Sequence, residues 1–179
     1  MTLFDRLYPG YTFTSLKNEN MVTAEQIDLD LDCMVALGGF SYIPADYVAL
    51  FSKFGIVEFR YASLNVAIRL RHPVEAYEFS FTEENGRRLS EDSFPVSYGD
   101  GRDTIWHSNI NGVRGLYLID DSDPIPEGAI YISPSLSALL FDGVGLEVLA
   151  KQFSADDDSV EQFIDKRKIY LNQYQKFTE

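Results

Sequence analysis

The sequence predicts an α+β domain in which an antiparallel multi-stranded sheet has helices packed on one side. Three observations support this fold class. A helical pattern precedes a run of alternating apolar and polar residues, Asn111-Gly112 separates two such runs, and helical patterns return after residue 133. Elements segregated along the chain in this way are typical of α+β domains. We divide the chain into an irregular or extended segment (1–22), an α+β domain (23–150) and a helical extension (151–179).

Length and composition predict one soluble domain. The chain has 179 residues, 45% of them hydrophobic, so it can bury a substantial core. Fifteen Lys and Arg against 28 Asp and Glu give a net charge of −13, which argues against binding of nucleic acid or of an anionic membrane. Cys33 is the only cysteine, which excludes an intramolecular disulfide. We recognise no signal peptide and no run of about 18 apolar residues, and therefore expect a cytoplasmic protein.

Two helices are predicted ahead of the sheet. The first covers residues 24–35, whose apolar residues fit a helical stripe, although three of them also alternate with aspartates as in a strand. The second is the segment IPADYVALFSKFG (43–55), in which Pro44 suits the first turn and Gly55 the left-handed residue that ends a helix. Its apolar face consists of Tyr47, Leu50, Phe51 and Phe54.

Alternation with a period of two then predicts the strands of the sheet. The predicted strands cover residues 56–59, 64–70, 77–81, 94–98, 104–110, 113–119 and 129–132. Asn111-Gly112 between the two longest strands is the strongest short signal for a hairpin. Gly99-Asp100-Gly101 is typical of a β-turn that needs positive φ rather than of a phosphate-binding loop.

Helical patterns occupy the C-terminal part of the chain. Ser133-Pro134 resembles an N-cap followed by a first-turn proline and predicts a short helix after it. A second short helix is expected over residues 146–153. Asp158 and Glu161 form an acidic variant of the capping box, which predicts a last helix that extends to about Phe177.

The polar residues show no catalytic or metal-binding pattern. No G-x-S-x-G motif accompanies His72 or His107, which we interpret as a turn residue and a surface-facing strand residue. The aspartates at 120–123 and 156–158 lack the spacing of a calcium-binding loop. Trp106 is interpreted as a core residue rather than an exposed interface anchor. We therefore predict a protein that is not an enzyme and has no metal or cofactor.

Acidic residues are concentrated in two segments that contain no Lys or Arg. Residues 18–52 and residues 115–150 carry six Asp or Glu each, which together account for −12 of the net charge of −13. Such segments are compatible with two interpretations. They can be solvated surfaces, or they can form one acidic surface that attracts a basic partner.

Several motifs resemble those of one known family. They are the segment I-P-x-D-Y-x-x-L-F-x-x-F-G (43–55), the Gly99-Asp100-Gly101 turn, the strand end Y-L-I-D (117–120) and the Leu- and Phe-rich segment 136–141. Across residues 24–149 the sequence resembles the SUKH superfamily, which includes fungal cell-wall regulators and bacterial toxin-immunity proteins. The resemblance implies an α+β fold without catalytic machinery. In the immunity branch it implies binding of a toxin, often a nuclease or nucleic-acid deaminase with a basic cleft.

We therefore expect a non-catalytic protein-binding domain of the immunity type, which neutralises a toxin with a basic active cleft. Acidic side chains would steer the encounter, and exposed aromatic side chains beside them would supply most of the binding free energy. The expected partner-binding residues are Asp46, Asp100, Asp120, Asp121 and Asp123. The alternative is a regulatory interaction or scaffold protein of the same fold without a toxin partner. A small hydrolase that uses a carboxylate pair is less favoured.

Overall fold

A seven-stranded antiparallel sheet is the centre of the fold. The computed structural model describes residues 7–15, 42–81, 92–98, 103–121, 126–153 and 155–175. Each strand pairs with its neighbours in chain order, which confirms the predicted α+β class. The strands are β1 (Tyr11–Ser15), β2 (Val57–Tyr61), β3 (Val66–Leu70), β4 (Phe94–Tyr98), β5 (Asp103–Ile110), β6 (Val113–Asp120) and β7 (Ile130–Ser133).

The described residues also form five α-helices. They are α1 (Ala45–Phe54), α2 (Pro73–Phe81), α3 (Leu136–Phe141), α4 (Leu146–Gln152) and α5 (Asp157–Gln175). The main core lies between one face of the sheet and α1, α3, α4 and α5, and we call this face the inner face. Val160 and Phe163 of α5 belong to the same core as the strands. The helix predicted over 24–35 and the Gly99-Asp100-Gly101 turn lie outside the described residues.

Alternating burial defines the two faces of the sheet. In β2 and β3 every second side chain is buried, and these residues (Val57, Phe59, Tyr61, Val66, Ile68 and Leu70) face the main core. The residues between them lie on the opposite side, which we call the outer face. β5 is buried on both faces, because Trp106 packs on Phe79 of α2 in a second, smaller cluster. The prediction that Trp106 is a core residue is confirmed, since it is 3% exposed.

The predicted hairpin and the predicted helix α1 are confirmed, although Pro44 lies just before the first turn rather than in it. Asn111 and Gly112 have φ values of 53° and 81°, and both are positive as the tight turn between β5 and β6 requires. Pro44 precedes α1 as its N-cap, and Gly55, with φ 65°, ends the helix by donating its N–H to the carbonyl oxygen of Phe51. Local signals therefore placed both elements correctly.

The prediction of a strand over residues 77–81 is wrong, because these residues belong to α2. Tyr77, Phe79 and Phe81 alternate with polar residues by coincidence of spacing. The period that decides the structure is helical, since the buried residues among 73–80 of α2 are Pro73, Ala76 and Ser80. His72 stabilises the first turn, where its Nδ1 accepts the Val74 N–H at 3.2 Å.

Two predicted helix caps are displaced along the chain. Ser135 rather than Ser133 caps α3, because its hydroxyl accepts the Ala138 N–H at 3.0 Å. Asp156 rather than Asp158 caps α5, because its carboxylate accepts the Ser159 N–H at 2.8 Å. A capping side chain must reach the N–H three residues ahead, and runs of Ser and Asp offer several candidates for that role.

Gly145, which precedes α4, gives a test of the packing between the helices and the sheet. Its φ is +90°, and an added Cβ would lie 2.2 Å from the Ile132 carbonyl oxygen. Gly112 has a similar φ of +81°, but its added Cβ would meet no atom within 4 Å. Gly112→Ala should therefore lose only the backbone term, about 1–2 kcal/mol. Gly145→Ala should lose about 1–3 kcal/mol more, because its methyl group overpacks against the backbone. Urea unfolding measures both, and equal losses would contradict the packing.

Candidate functional site

Asp46, one of the expected partner-binding residues, holds two helices together. Its Oδ1 accepts the Tyr47 N–H and its Oδ2 accepts the Ser137 N–H, both at 2.9 Å. Ser137 lies in the first turn of α3, where a carboxylate is favoured by the unpaired N–H groups and the helix dipole. The two acidic segments without Lys or Arg therefore meet here, and their contact is a helix cap. Both carboxylate oxygens of Asp46 already accept backbone hydrogen bonds.

Asp120 and Asp121 lie at one end of the β5–β6 pair. Asp103, the first residue of β5, stands directly opposite Asp120, the last residue of β6. Asp120 is exposed and Asp121 is half-buried. Asp100 and Asp123 lie outside the described residues. We call Asp103, Asp120 and Asp121 the acidic end of the sheet.

The carboxyl group of Asp121 is held in an unusual environment. Its Oδ2 accepts the Thr104 hydroxyl at 2.9 Å, whereas its Oδ1 is buried with no hydrogen-bond partner among the described residues. Burial raises the pKa of Asp121 to about 6, and the neighbouring Asp103 and Asp120 add to the effect. The Thr104 hydrogen bond and Arg71 oppose it. The ionised form of Asp121 is therefore less favourable in the folded protein than in the unfolded chain.

Arg71 is buried on the outer face and is linked to Asp121 through Thr104. It is 5% exposed, and its Nη2 donates to the Thr104 hydroxyl at 3.0 Å. Its guanidinium carbon lies 4.1 Å from the ring centre of Phe79 and 4.0 Å from that of Tyr98. Cations at this distance from aromatic rings are stabilised by the ring quadrupole. Burial lowers the pKa of Arg71, and the nearby Tyr98, Asp121 and Glu75 oppose that shift.

Glu75 completes this group of charges from the first turn of α2. The Tyr98 hydroxyl donates a hydrogen bond to its carboxylate. Burial and then this hydrogen bond raise the pKa of Tyr98 to about 12, so the phenol stays protonated. We call Arg71, Glu75, Phe79, Tyr98, Thr104 and Asp121 the Arg71 network. Its one cation lies between two carboxylates and two rings, which fixes α2 against the outer face.

The sequence gave no direct signal for the Arg71 network. Arg69 and Arg71 both fall on the polar side of the alternation that predicts β3, and Arg69 is exposed as that pattern requires. Arg71 is buried because α2 crosses the outer face beyond the end of β3. Had Pro73 been recognised as a first-turn proline, a helix directly after Arg71 could have been predicted.

A hollow lies on the outer face beside the Arg71 network. Its volume is about 440 Å³. Its lining residues come from β2, β3, β4, the turn between β2 and β3 and the end of α4: Glu58, Arg60, Asn65, Ala67, Arg69, Tyr98 and Phe153. None of these residues belongs to a motif that indicates a site in the sequence. Tyr98 belongs both to this hollow and to the Arg71 network.

The two histidines occupy different environments. His72 is a turn residue between β3 and α2, as predicted. The prediction that His107 faces the surface is wrong, because it is 4% exposed and its ring lies 5.2 Å from that of Tyr42. Burial lowers the pKa of His107, although Asp46 nearby opposes the shift. His107 lies on β5, an internal strand of the sheet whose inner face packs against the main core. The alternation of apolar and polar residues within one strand does not show whether other elements cover it.

The described part of the chain shows no group of three or more His, Cys, Asp or Glu side chains placed to hold a metal ion. It also has no helix with the length and apolar character needed to cross a membrane. Comparisons with protein-family models, with curated proteins and with solved structures found no match. The resemblance to the SUKH superfamily therefore stays a prediction from the sequence motifs.

The role of Asp46 as a helix cap can be tested by Asp46→Ala. The variant loses the acceptor for two backbone N–H groups, so we expect it to unfold with about 1–2 kcal/mol less free energy. Asp142, whose exposed side chain lies at the end of α3, is a matched control. Asp142→Ala should change stability by less than about 0.5 kcal/mol. Urea unfolding measures both, and equal stabilities would contradict the capping role.

The raised pKa of Asp121 predicts that the free energy of unfolding depends on pH. The pKa of about 6 lies above the usual aspartate value of 3.8, so the folded state binds the proton more tightly than the unfolded state. Asp121 therefore contributes a destabilisation that is absent below pH 3.8 and grows as pH rises to about 6. Asp121→Asn should raise the melting temperature at pH 7.5, and the gain should shrink towards pH 4.

Asp120→Asn is the control for this experiment, because it removes the same charge from an exposed neighbour in the acidic end. Its effect on the melting temperature should be smaller at pH 7.5. An Asp121→Asn variant that is less stable than the parent protein at pH 7.5 would contradict this prediction. It would show that the interactions of the carboxylate with Arg71 and Thr104 stabilise the fold by more than its burial destabilises it.

Proposed function

We propose that this chain is a non-catalytic protein-binding domain of the immunity type, which binds and neutralises a toxin with a basic active cleft. The observation that carries the proposal is the acidic end of the sheet. Pairing of β5 with β6 places Asp103 beside Asp120, with Asp121 next in the chain. The acidic end therefore contains two of the five residues expected to bind the partner, Asp120 and Asp121, together with Asp103 from the neighbouring strand.

The energetics of the acidic end favour a cationic partner. The negative charges of Asp103 and Asp120 both raise the pKa of Asp121. Burial adds a further cost for Asp121, as its raised pKa indicates. A Lys or Arg brought by a partner would reduce the repulsion, favour the ionised carboxylate and lower that pKa. Part of the binding free energy would therefore come from relief of a cost that the free protein carries.

The net charge of the chain supports the same partner class through the rate of encounter. A charge of −13 attracts a basic domain over distances longer than a direct contact. A toxin that acts on nucleic acid needs a cationic cleft to hold phosphates. An acidic surface is complementary to such a cleft and can occupy it without being a substrate. Electrostatic complementarity of this kind raises the association rate and selects against acidic partners.

The proposal predicts where the charges act. The chain, immobilised as bait in a lysate of its own host, identifies the partner, and stopped-flow mixing of the purified pair gives the association rate. We expect this rate to fall steeply with added salt, and to fall about tenfold in the variant Asp103→Asn/Asp120→Asn. The matched control is Asp142→Asn/Glu161→Gln, which removes the same two charges from exposed positions on α5 and at the end of α3. It should change the rate much less.

Inhibition separates this function from its alternatives. One equivalent of the chain should abolish the partner's toxic activity, and the chain should remain chemically unchanged. A partner that binds but keeps its activity would indicate a regulatory or scaffold role instead. An association rate that does not depend on salt, or that falls equally in both double variants, would overturn the role of the acidic end.

A further inference from the structure

The hollow on the outer face has a shape that follows from its side chains. Ala67 stands directly opposite Arg60 in the pairing of β2 with β3, and Arg69 follows two residues later on the same face. The methyl group of Ala67 is short, whereas its neighbours are long, so a depression remains above it. Tyr98 provides an aromatic wall, and Phe153, which is 8% exposed and belongs to the main core, also contributes to the lining. The volume of about 440 Å³ lies in the range of small-molecule sites.

The charges around the hollow differ from those of the chain as a whole. Arg60 is neutralised by Glu58, whose Oε1 accepts from its Nε at 3.3 Å and from its Nη2 at 3.0 Å. Arg69 stands opposite Glu58 in register, but the Glu58 carboxylate is turned to Arg60, and no ion pair to Arg69 is found among the described residues. Two arginines and one glutamate leave one positive charge in a protein whose net charge is −13.

The Arg69 guanidinium is therefore available to a ligand. It is exposed, and its carbon lies 5.2 Å from the ring centre of Tyr98. A guanidinium offers parallel N–H donors that match the two oxygens of a carboxylate. The surplus of one charge suits a monoanion better than a phosphate dianion. Asn65, in the turn that closes the hollow, adds a carboxamide to the lining.

The Tyr98 wall is fixed before any ligand arrives. Its hydroxyl is bonded to Glu75, and Arg71 lies 4.0 Å from its ring centre. A wall held in place by a buried network loses little conformational entropy when a ligand packs on it. The hollow thus combines a cation with no ion pair among the described residues, a preformed aromatic wall and room for a compact body.

We propose that this hollow is a binding site for a small organic monocarboxylate, whose carboxylate pairs with the Arg69 guanidinium while its apolar body lies between Tyr98 and Phe153. The site goes beyond the proposed function, because it uses a cation and lies on the outer face rather than at the acidic end. Binding of a toxin and binding of a small carboxylate are therefore separate properties.

Benzoate is the probe, and benzamide is its neutral counterpart of nearly the same shape. Titration of the full chain with benzoate, followed by amide chemical shifts in NMR, should show saturable binding in the millimolar range that moves the signals of Ala67 and Arg69. Benzamide should bind at least about tenfold more weakly, because it forms no charge-assisted pair with Arg69. Equal affinity for the two probes would overturn the proposal, as would the absence of saturable benzoate binding.

Two variants test the site itself. Arg69→Gln should weaken benzoate binding about tenfold or more, because it removes the cation. Ala67→Leu keeps every charge and fills the hollow, so it should abolish binding. Arg114→Gln is the control, since Arg114 is an exposed arginine paired with Asp92 away from the hollow. If benzoate binds both site variants as it binds the parent protein, or if Arg114→Gln weakens binding as much as Arg69→Gln, the assignment is wrong.

Discussion

The burial of Arg71 is the constraint on which the outer side of this fold depends. A guanidinium that is 5% exposed must be compensated, because an uncompensated buried charge costs several kcal/mol. The compensation comes from four places in the chain: Glu75 and Phe79 on α2, Tyr98 on β4, Thr104 on β5 and Asp121 after β6. One cation thereby fixes α2 across the sheet and sets the positions of a ring and a carboxylate. On the inner face, Tyr47 of α1 donates its hydroxyl to the Arg71 carbonyl oxygen at 2.7 Å, so the same residue also joins the main core.

Both proposed binding surfaces are built on this network. Tyr98 is one wall of the hollow, and Asp121 is one member of the acidic end. The two surfaces have opposite charge and use different members of the network. The proposed basic partner and the proposed small carboxylate would therefore not compete for the same groups. The arrangement also explains why the pKa of Asp121 is raised although an arginine is nearby. Thr104 lies between the Asp121 carboxylate and the Arg71 guanidinium, and Arg71 also interacts electrostatically with Glu75.

The fold was predictable from sequence wherever a signal lay within a few residues. Pro44 and Gly55 marked the bounds of α1, and Asn111-Gly112 marked the hairpin. The prediction of a residue's role failed where its contact partner lies far away in the sequence. The strand predicted over 77–81 is an exception, because Pro73 is a local signal for α2 that the aromatic alternation outweighed. Asp46 was recognised as an important acid, but its partner Ser137 lies 91 residues away, so its role as a cap was hidden. Neither the Arg71 network nor the hollow has a motif, because each gathers single residues from several elements.

The acidic end lies on the longest strand pair of the described sheet, which holds its charges in a defined place. Asp103 and Asp120 terminate β5 and β6, the two longest strands, which pair over eight residues and are closed at the other end by the Asn111-Gly112 turn. Side chains are buried on both faces of β5, with His107 on the inner side and Trp106 on the outer side. Charges at the end of such a packed strand pair would cost the proposed basic partner less entropy than charges on a flexible loop would. We therefore expect the acidic end to contribute to affinity as well as to the rate of encounter.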